Sequence, residues 1–178
     1  FGTTTGQNRT TVFGGHTCTE TMVALALQYA GLEPGGCGEV WNVEFPERVM
    51  EIQRGYVEAG SDCLITNTFG GCCVMLERHG HGDAVAEINQ AGARIAREAF
   101  GDTTGFVIGD IGPFGGLMEP YGDVSEQRVR EAFAEQATSL VAAGVDAIII
   151  ETQTALEELN IGIEAAKKAG APCVIGSM

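Results

Sequence analysis

The sequence predicts an α/β fold of repeated strand and helix units with parallel strands, and three observations predict it. The first is the stretch AGVDAIIIET at Ala143 to Thr152, whose apolar run Ala147 to Ile150 is too short and too β-branched for a helix and stops at a carboxylate, Glu151. The second is the return of the same unit 84 residues earlier, where Ala59 to Thr68 reads AGSDCLITNT. The third is helical periodicity in the intervals between such strands. A helix closing on Ala-Gly, a turn through Asp, a buried strand and a polar tip make the αβ half of a βαβ repeat. Polar tips at the carboxyl ends of parallel strands are where α/β proteins keep their ligands.

Taken in order, residues 1–11 are rich in Thr and Gly and are expected to form a poorly ordered lead-in, with one domain over residues 12–178. Val12 and Phe13 begin a first strand that breaks at Gly14 and Gly15. Met22, Leu25, Ala26 and Tyr29 mark one face of a helix that ends before Gly31, and Glu33 to Glu39 is a loop. Pro46 suits the first turn of a second helix, with Val49, Ile52, Tyr56 and Val57 facing inward as far as Gly60. Cys63 to Asn67 is the second strand. Val85, Ile88, Gly92, Ile95 and Ala99 define the next helix, and Phe106 to Gly109 the third strand. Asp123 and Glu126 read as an acidic capping box for a helix carrying Val129, Phe133, Gln136, Ala137 and Leu140. The fourth strand ends at Glu151. A last helix follows with Leu156, Leu159, Ile163 and Ala166 on one face, closed by Gly170, and Cys173 to Gly176 is a fifth strand. Five such units fit either an open doubly wound sheet or the first part of an eight-stranded barrel, which needs roughly 250 residues. No Gly-x-Gly-x-x-Gly or Walker loop supports the nucleotide-binding form of the open sheet.

The chain has 178 residues, 44% hydrophobic, enough for a single core, and a net charge of −14 with ten Lys and Arg. Such an acidic surface repels phosphate backbones and anionic lipid, which argues against nucleic acid and membrane as partners. No apolar run has the length of a membrane span and no basic-then-apolar leader opens the chain, so a cytoplasmic location is expected. The six cysteines are then free thiols.

Glu151 is the strongest candidate for chemistry, because a carboxylate at a buried strand end needs a partner and a ligand ammonium group is one. Thr66, Asn67, Thr68 and Phe69 form a second polar tip, after which Gly70 and Gly71 let backbone amides approach a ligand carboxylate. At the third tip, Gly112 and Pro113 beside Asp110 are read as fixing loop shape. Cys72, Cys73, His79 and His81 are soft ligands within ten residues, but their spacing matches no finger or ribbon pattern, so no metal site is assigned to them. His16 is read as a structural loop residue.

TNTFGG at Thr66 to Gly71, EINQAGARIARE at Glu87 to Glu98, IGP at Ile111 to Pro113 and GVDAIIIET at Gly144 to Thr152 resemble the homocysteine S-methyltransferase family, including the homocysteine-binding domain of cobalamin-dependent methionine synthase. The resemblance runs from Val12 to Met178 and implies a (β/α)8 TIM barrel, of which this chain would be about the first five βα units. It also implies methyl transfer to the zinc-activated thiol of homocysteine, giving methionine, with zinc as cofactor and cobalamin supplied through a partner domain. Glu151 would hold the substrate amino group, and the amides around Thr68 to Gly70 its carboxylate, with Thr66, Asn67, Phe69 and Gly15 completing the substrate-binding set. The family's zinc cysteines would lie beyond Met178, so the isolated chain is expected to be inactive and to need a missing C-terminal half or a cobalamin-binding domain. Two departures stand out: Gly14 occupies the place of a family Asp that assists amino-group binding, and GGCC at Gly70 to Cys73 matches a family zinc motif only by coincidence. A corrinoid-linked methyltransferase with another methyl acceptor and a non-catalytic assembly module are the alternatives.

Overall fold

The computed structural model describes Gly2–Thr3, Arg9–Thr10 and residues 20–178, with side chains from Val23 onward. The strand at Val12 and Phe13, and with it Gly14, Gly15, His16 and Cys18, lies outside the described residues. Within the expected lead-in, β1 (Gly2–Thr3) pairs antiparallel with β2 (Arg9–Thr10).

The described helices and strands then follow in the order α1 (Glu20–Tyr29), α2 (Trp41–Glu44), α3 (Pro46–Glu58), β3 (Cys63–Ile65), α4 (Cys73–Glu77), α5 (Val85–Ala99), β4 (Phe106–Ile111), α6 (Glu126–Ala142), β5 (Ala147–Ile150), α7 (Leu156–Ala169) and β6 (Val174–Gly176). Strands β3 to β6 form one parallel sheet in sequential order. A doubly wound sheet reverses its strand order at a switch point; among the described strands the order does not reverse. Its two faces differ as well. Leu64, Val107, Ile111, Ile148 and Ile150 pack with helix residues such as Phe133, Leu140 and Ile161. Among the described residues, the alternate positions Cys63, Ile65, Ile108, Ala147 and Ile149 form a separate cluster of strand side chains. Helices on one face and strand side chains alone on the other are the layering of a parallel β/α barrel, and this segment has it.

Most helix faces agree with the periodicity. All five inward positions of α5 and all five of α6 are buried. Gly31, Gly60, Gly144 and Gly170 adopt positive φ just past helix ends, where a Cβ would be strained. Three expectations are corrected. In α1, Val23 and Leu27 are buried while Leu25 and Tyr29 are exposed, because a helix apolar on nearly every side takes its orientation from the neighbours it meets, here Trp41, Val49 and Ile95. Ser125, and not Asp123, caps α6, its hydroxyl accepting from Arg128 N at 3.2 Å. In α7 Ala166 is buried and Leu159 and Ile163 pack against the core as expected, together with Ile161, Gly162 and Ala165, whereas Leu156 is exposed. Small residues bring this helix close: a Cβ on Gly162 would stand 2.8 Å from Ile150 Cγ2.

Candidate functional site

The tip of β3 is fastened to β4 by a closed ring of hydrogen bonds. Asp110 N donates to Thr66 Oγ1 at 3.0 Å, and Thr68 Oγ1 donates to Asp110 O at 2.8 Å. The two hydroxyls lie 2.6 Å apart, and since the Thr68 hydrogen is already given to Asp110 O, Thr66 donates to Thr68. Both threonines are buried. These two expected substrate-binding side chains therefore have no hydrogen left for a ligand.

Amide side chains from the outer helices complete the fastening. Asn42 of α2 donates to Asn67 O and Ile88 O, and Asn67 donates to Gly38 O and Asn42 Oδ1. Gln53 of α3 donates to Ile65 O. Asn89 of α5 donates to Gly71 O and Val85 O, and Gln136 of α6 donates to Thr68 O at 2.7 Å and Asn89 Oδ1 at 3.1 Å. All five amides are buried. Asn42, Gln53, Asn89 and Gln136 each donate to a main-chain carbonyl between Ile65 and Gly71, and Asn67 ties the tip to the loop at Gly38. Asn67 is accordingly a framework residue here. Asn42, Gln53 and Asn89 were missed in the sequence, and Gln136 was read only as a helix-face position; the one available signal was an amide standing at an inward helical position.

Glycine at three places makes room for this packing. A Cβ on Gly71 would lie 2.6 Å from Asn89 Oδ1, one on Gly92 2.7 Å from Asn42 Nδ2, and one on Gly112 2.7 Å from the Phe69 ring. Gly112 N also donates to Phe69 O at 2.9 Å, which ties the third tip to the second. From α7, buried Glu158 accepts from Phe114 N at 2.8 Å and so holds the loop after β4; burial pushes its carboxyl up.

Two acidic features lie next to this frame. At Glu39 a cavity of about 220 Å³ is lined by Thr66 to Gly70, by Val23 and Leu27 of α1, and by Cys37 and Glu39. There Glu39 Oε1 accepts from Gly70 N at 2.7 Å and Glu39 Oε2 from the Cys37 thiol at 3.3 Å. Burial, then the Glu39 charge, push that thiol up to about 12. The second acid, Glu151, follows β5 at the carboxyl end of the sheet, half-buried, with its side chain beside that of buried Asp110. Burial pushes the Glu151 carboxyl up, and the neighbouring Asp110 side chain opposes this. Thr152 next to it takes φ 56°, a conformation uncommon for a β-branched residue. Of the expected site residues, Thr66 to Gly70 share the cavity and Glu151 stands outside its lining. Gly15 lies outside the described residues.

Cys72 and Cys73 belong to the hydrophobic core, and burial raises both thiols, Cys72 to about 11. A buried thiol among apolar neighbours packs as a small hydrophobe. Among the described residues no three His, Cys, Asp or Glu side chains group to hold a metal. These residues do not fit a zinc site. No described helix is long and apolar enough to cross a membrane.

Comparison with known proteins places this geometry. Methionine synthases from Mycobacterium tuberculosis and Mycobacterium leprae are each 32% identical to it over 146 residues, covering 79% of the chain and 12% of their own length. The metallated form of the homocysteine methyltransferase MmuM from Escherichia coli superposes with a TM-score of 0.73 at 21% identity, over 85% of this chain and 59% of that one. Its oxidized form gives 0.69 at 22% identity, over 84% and 57%. The chain thus spans only part of the relatives it matches. The family model for homocysteine S-methyltransferases matches residues 10–178, and with a parallel β/α sheet carrying its polar tips at the carboxyl ends, the chain belongs to the homocysteine S-methyltransferase family.

Proposed function

We propose that this chain forms the amino-acid-binding part of a homocysteine S-methyltransferase, which passes a methyl group to the homocysteine thiol to give methionine. The observation that carries this reading is Glu151: an acid at the carboxyl end of a barrel strand, half-buried, with a buried carboxyl beside it and a pKa raised by burial. A ligand ammonium group offers such a carboxyl the positive charge and donors that favour its ionised form. The substrate carboxylate is assigned to the main-chain amides at Phe69 and Gly70, since the threonine hydroxyls have given up their hydrogens. Zinc, held by ligands other than Cys72 and Cys73, would supply an ionised substrate thiol, and a partner domain, cobalamin-bearing as in the family resemblance, would supply the methyl group.

Titration calorimetry with L-homocysteine and with its deaminated analogue, 4-mercaptobutanoate, tests the assignment. Glu151→Gln is expected to weaken homocysteine about tenfold or more, the worth of a charged hydrogen bond, and to leave the analogue unchanged. Equal effects on both ligands would remove Glu151 from amino-group binding.

A further inference from the structure

We propose that the Glu39 carboxylate is an internal occupant of the seat that a ligand carboxylate takes, which makes Glu39 a determinant of specificity at this pocket. The inference rests on the reading above, that the β3 tip receives an amino acid's carboxylate. Both oxygens of Glu39 are held as a bound carboxylate's would be, one by the Gly70 amide at 2.7 Å and the other by the Cys37 thiol at 3.3 Å. The seat faces a cavity of about 220 Å³, room for a small amino acid. Gly70 is shaped to this occupant, since a Cβ there would stand 2.8 Å from Glu39 Oε1. Glu39 reaches the seat from a loop residue next to α2, whereas the seat itself is fixed by the buried amides of Asn42, Asn89 and Gln136. The donor is therefore rigid and its occupant is the end of a flexible side chain, the arrangement in which exchange for an incoming carboxylate costs the frame nothing. Two anions do not share one amide. A ligand carboxylate binds by displacing Glu39, and its apparent affinity is lowered by the fraction of time the seat is filled.

The test compares the wild-type chain with Glu39→Ala and Glu39→Gln by calorimetry, using L-homocysteine, its decarboxylated analogue 3-aminopropane-1-thiol, and propionate as a bare carboxylate probe, with the Gly70 amide resonance as a local readout. If the seat is open about a tenth of the time, Glu39→Ala binds homocysteine about tenfold tighter. Glu39→Gln, which keeps an oxygen for the Gly70 amide without the charge, is expected to fall between, and the decarboxylated analogue is expected to ignore both substitutions. Propionate is expected to move the Gly70 resonance in Glu39→Ala and not in the wild type. Weaker or unchanged homocysteine binding in Glu39→Ala, while the wild type still binds, overturns the inference and leaves the proposed function standing. Propionate acting on Glu39→Ala while homocysteine binds neither protein keeps the seat and overturns the choice of homocysteine. Silence toward both ligands overturns both.

Discussion

Burial holds the Glu151 carboxyl above the ordinary carboxylate range, with the neighbouring Asp110 side chain pulling the other way. The folded chain thus keeps this proton to a higher pH than the unfolded chain does. The group's contribution to stability is present at pH below the unfolded value of 4.5 and is lost as pH rises through the folded value. Glu151→Gln is therefore expected to raise Tm near neutral pH and to give no gain at acid pH, read by thermal melts across that window. Ligand binding has the opposite slope: an ammonium group favours the ionised carboxyl, so amino-acid affinity is expected to rise with pH through the Glu151 transition, and calorimetry in two buffers of different ionisation enthalpy reads the released proton. Gly112→Ala tests the contact between tips, because its Cβ would stand 2.7 Å from the Phe69 ring. A loss of about 1–3 kcal/mol in urea unfolding is expected, the usual cost of overpacking a filled site.

At the scale of elements, the outer helices do more than cover the sheet. Gln136 reaches from α6 to Thr68 O, and Asn89 from α5 to Gly71 O. Gln136→Leu would leave the buried Asn89 Oδ1 without its Gln136 donor, at a cost of about 1–3 kcal/mol, while Thr68 O keeps the Gly71 amide. Hydrogen exchange is expected to quicken at the β3 tip and to change little in β5, with the two regions separated by mass spectrometry of peptic fragments. The helices themselves were legible because α5 and α6 repeat apolar residues at helical spacing. Orientation failed at α1, where Leu25 and Val23 are equally apolar and only contact with Trp41 and Val49 decides between them. In α7 the expected side held at Leu159, Ile163 and Ala166 and missed at Leu156, and the closest approach is made at Gly162, which has no side chain to register in an apolar pattern. The polar tips at Thr66 to Phe69 and at Glu151 were readable as strand ends. The role of Thr66 and Thr68 was not, because a hydroxyl's partner is set by the neighbouring strand and no spacing within the chain encodes it.

For the molecule as a whole, the core and the thiols make one prediction. Cys72 and Cys73 sit within the hydrophobic cluster, while Cys173 is exposed beside the edge strand β6. Iodoacetamide followed by peptide mass analysis is expected to modify Cys173 promptly and Cys72 and Cys73 only in step with global unfolding. Early labelling of the vicinal pair would mean that the core around α4 opens by itself. The same layering explains what residue reading left open: five βα units fit two architectures, and only strand order, with helices confined to one face, separates them. The ring through Thr66, Thr68 and Asp110 has a consequence of another kind. Its hydrogens all point one way around a buried circuit, so the two hydroxyl protons are expected to exchange slowly and to give resolved proton signals, where surface hydroxyls give none. Those two lines would report directly, and without any label, whether β3 and β4 are still joined.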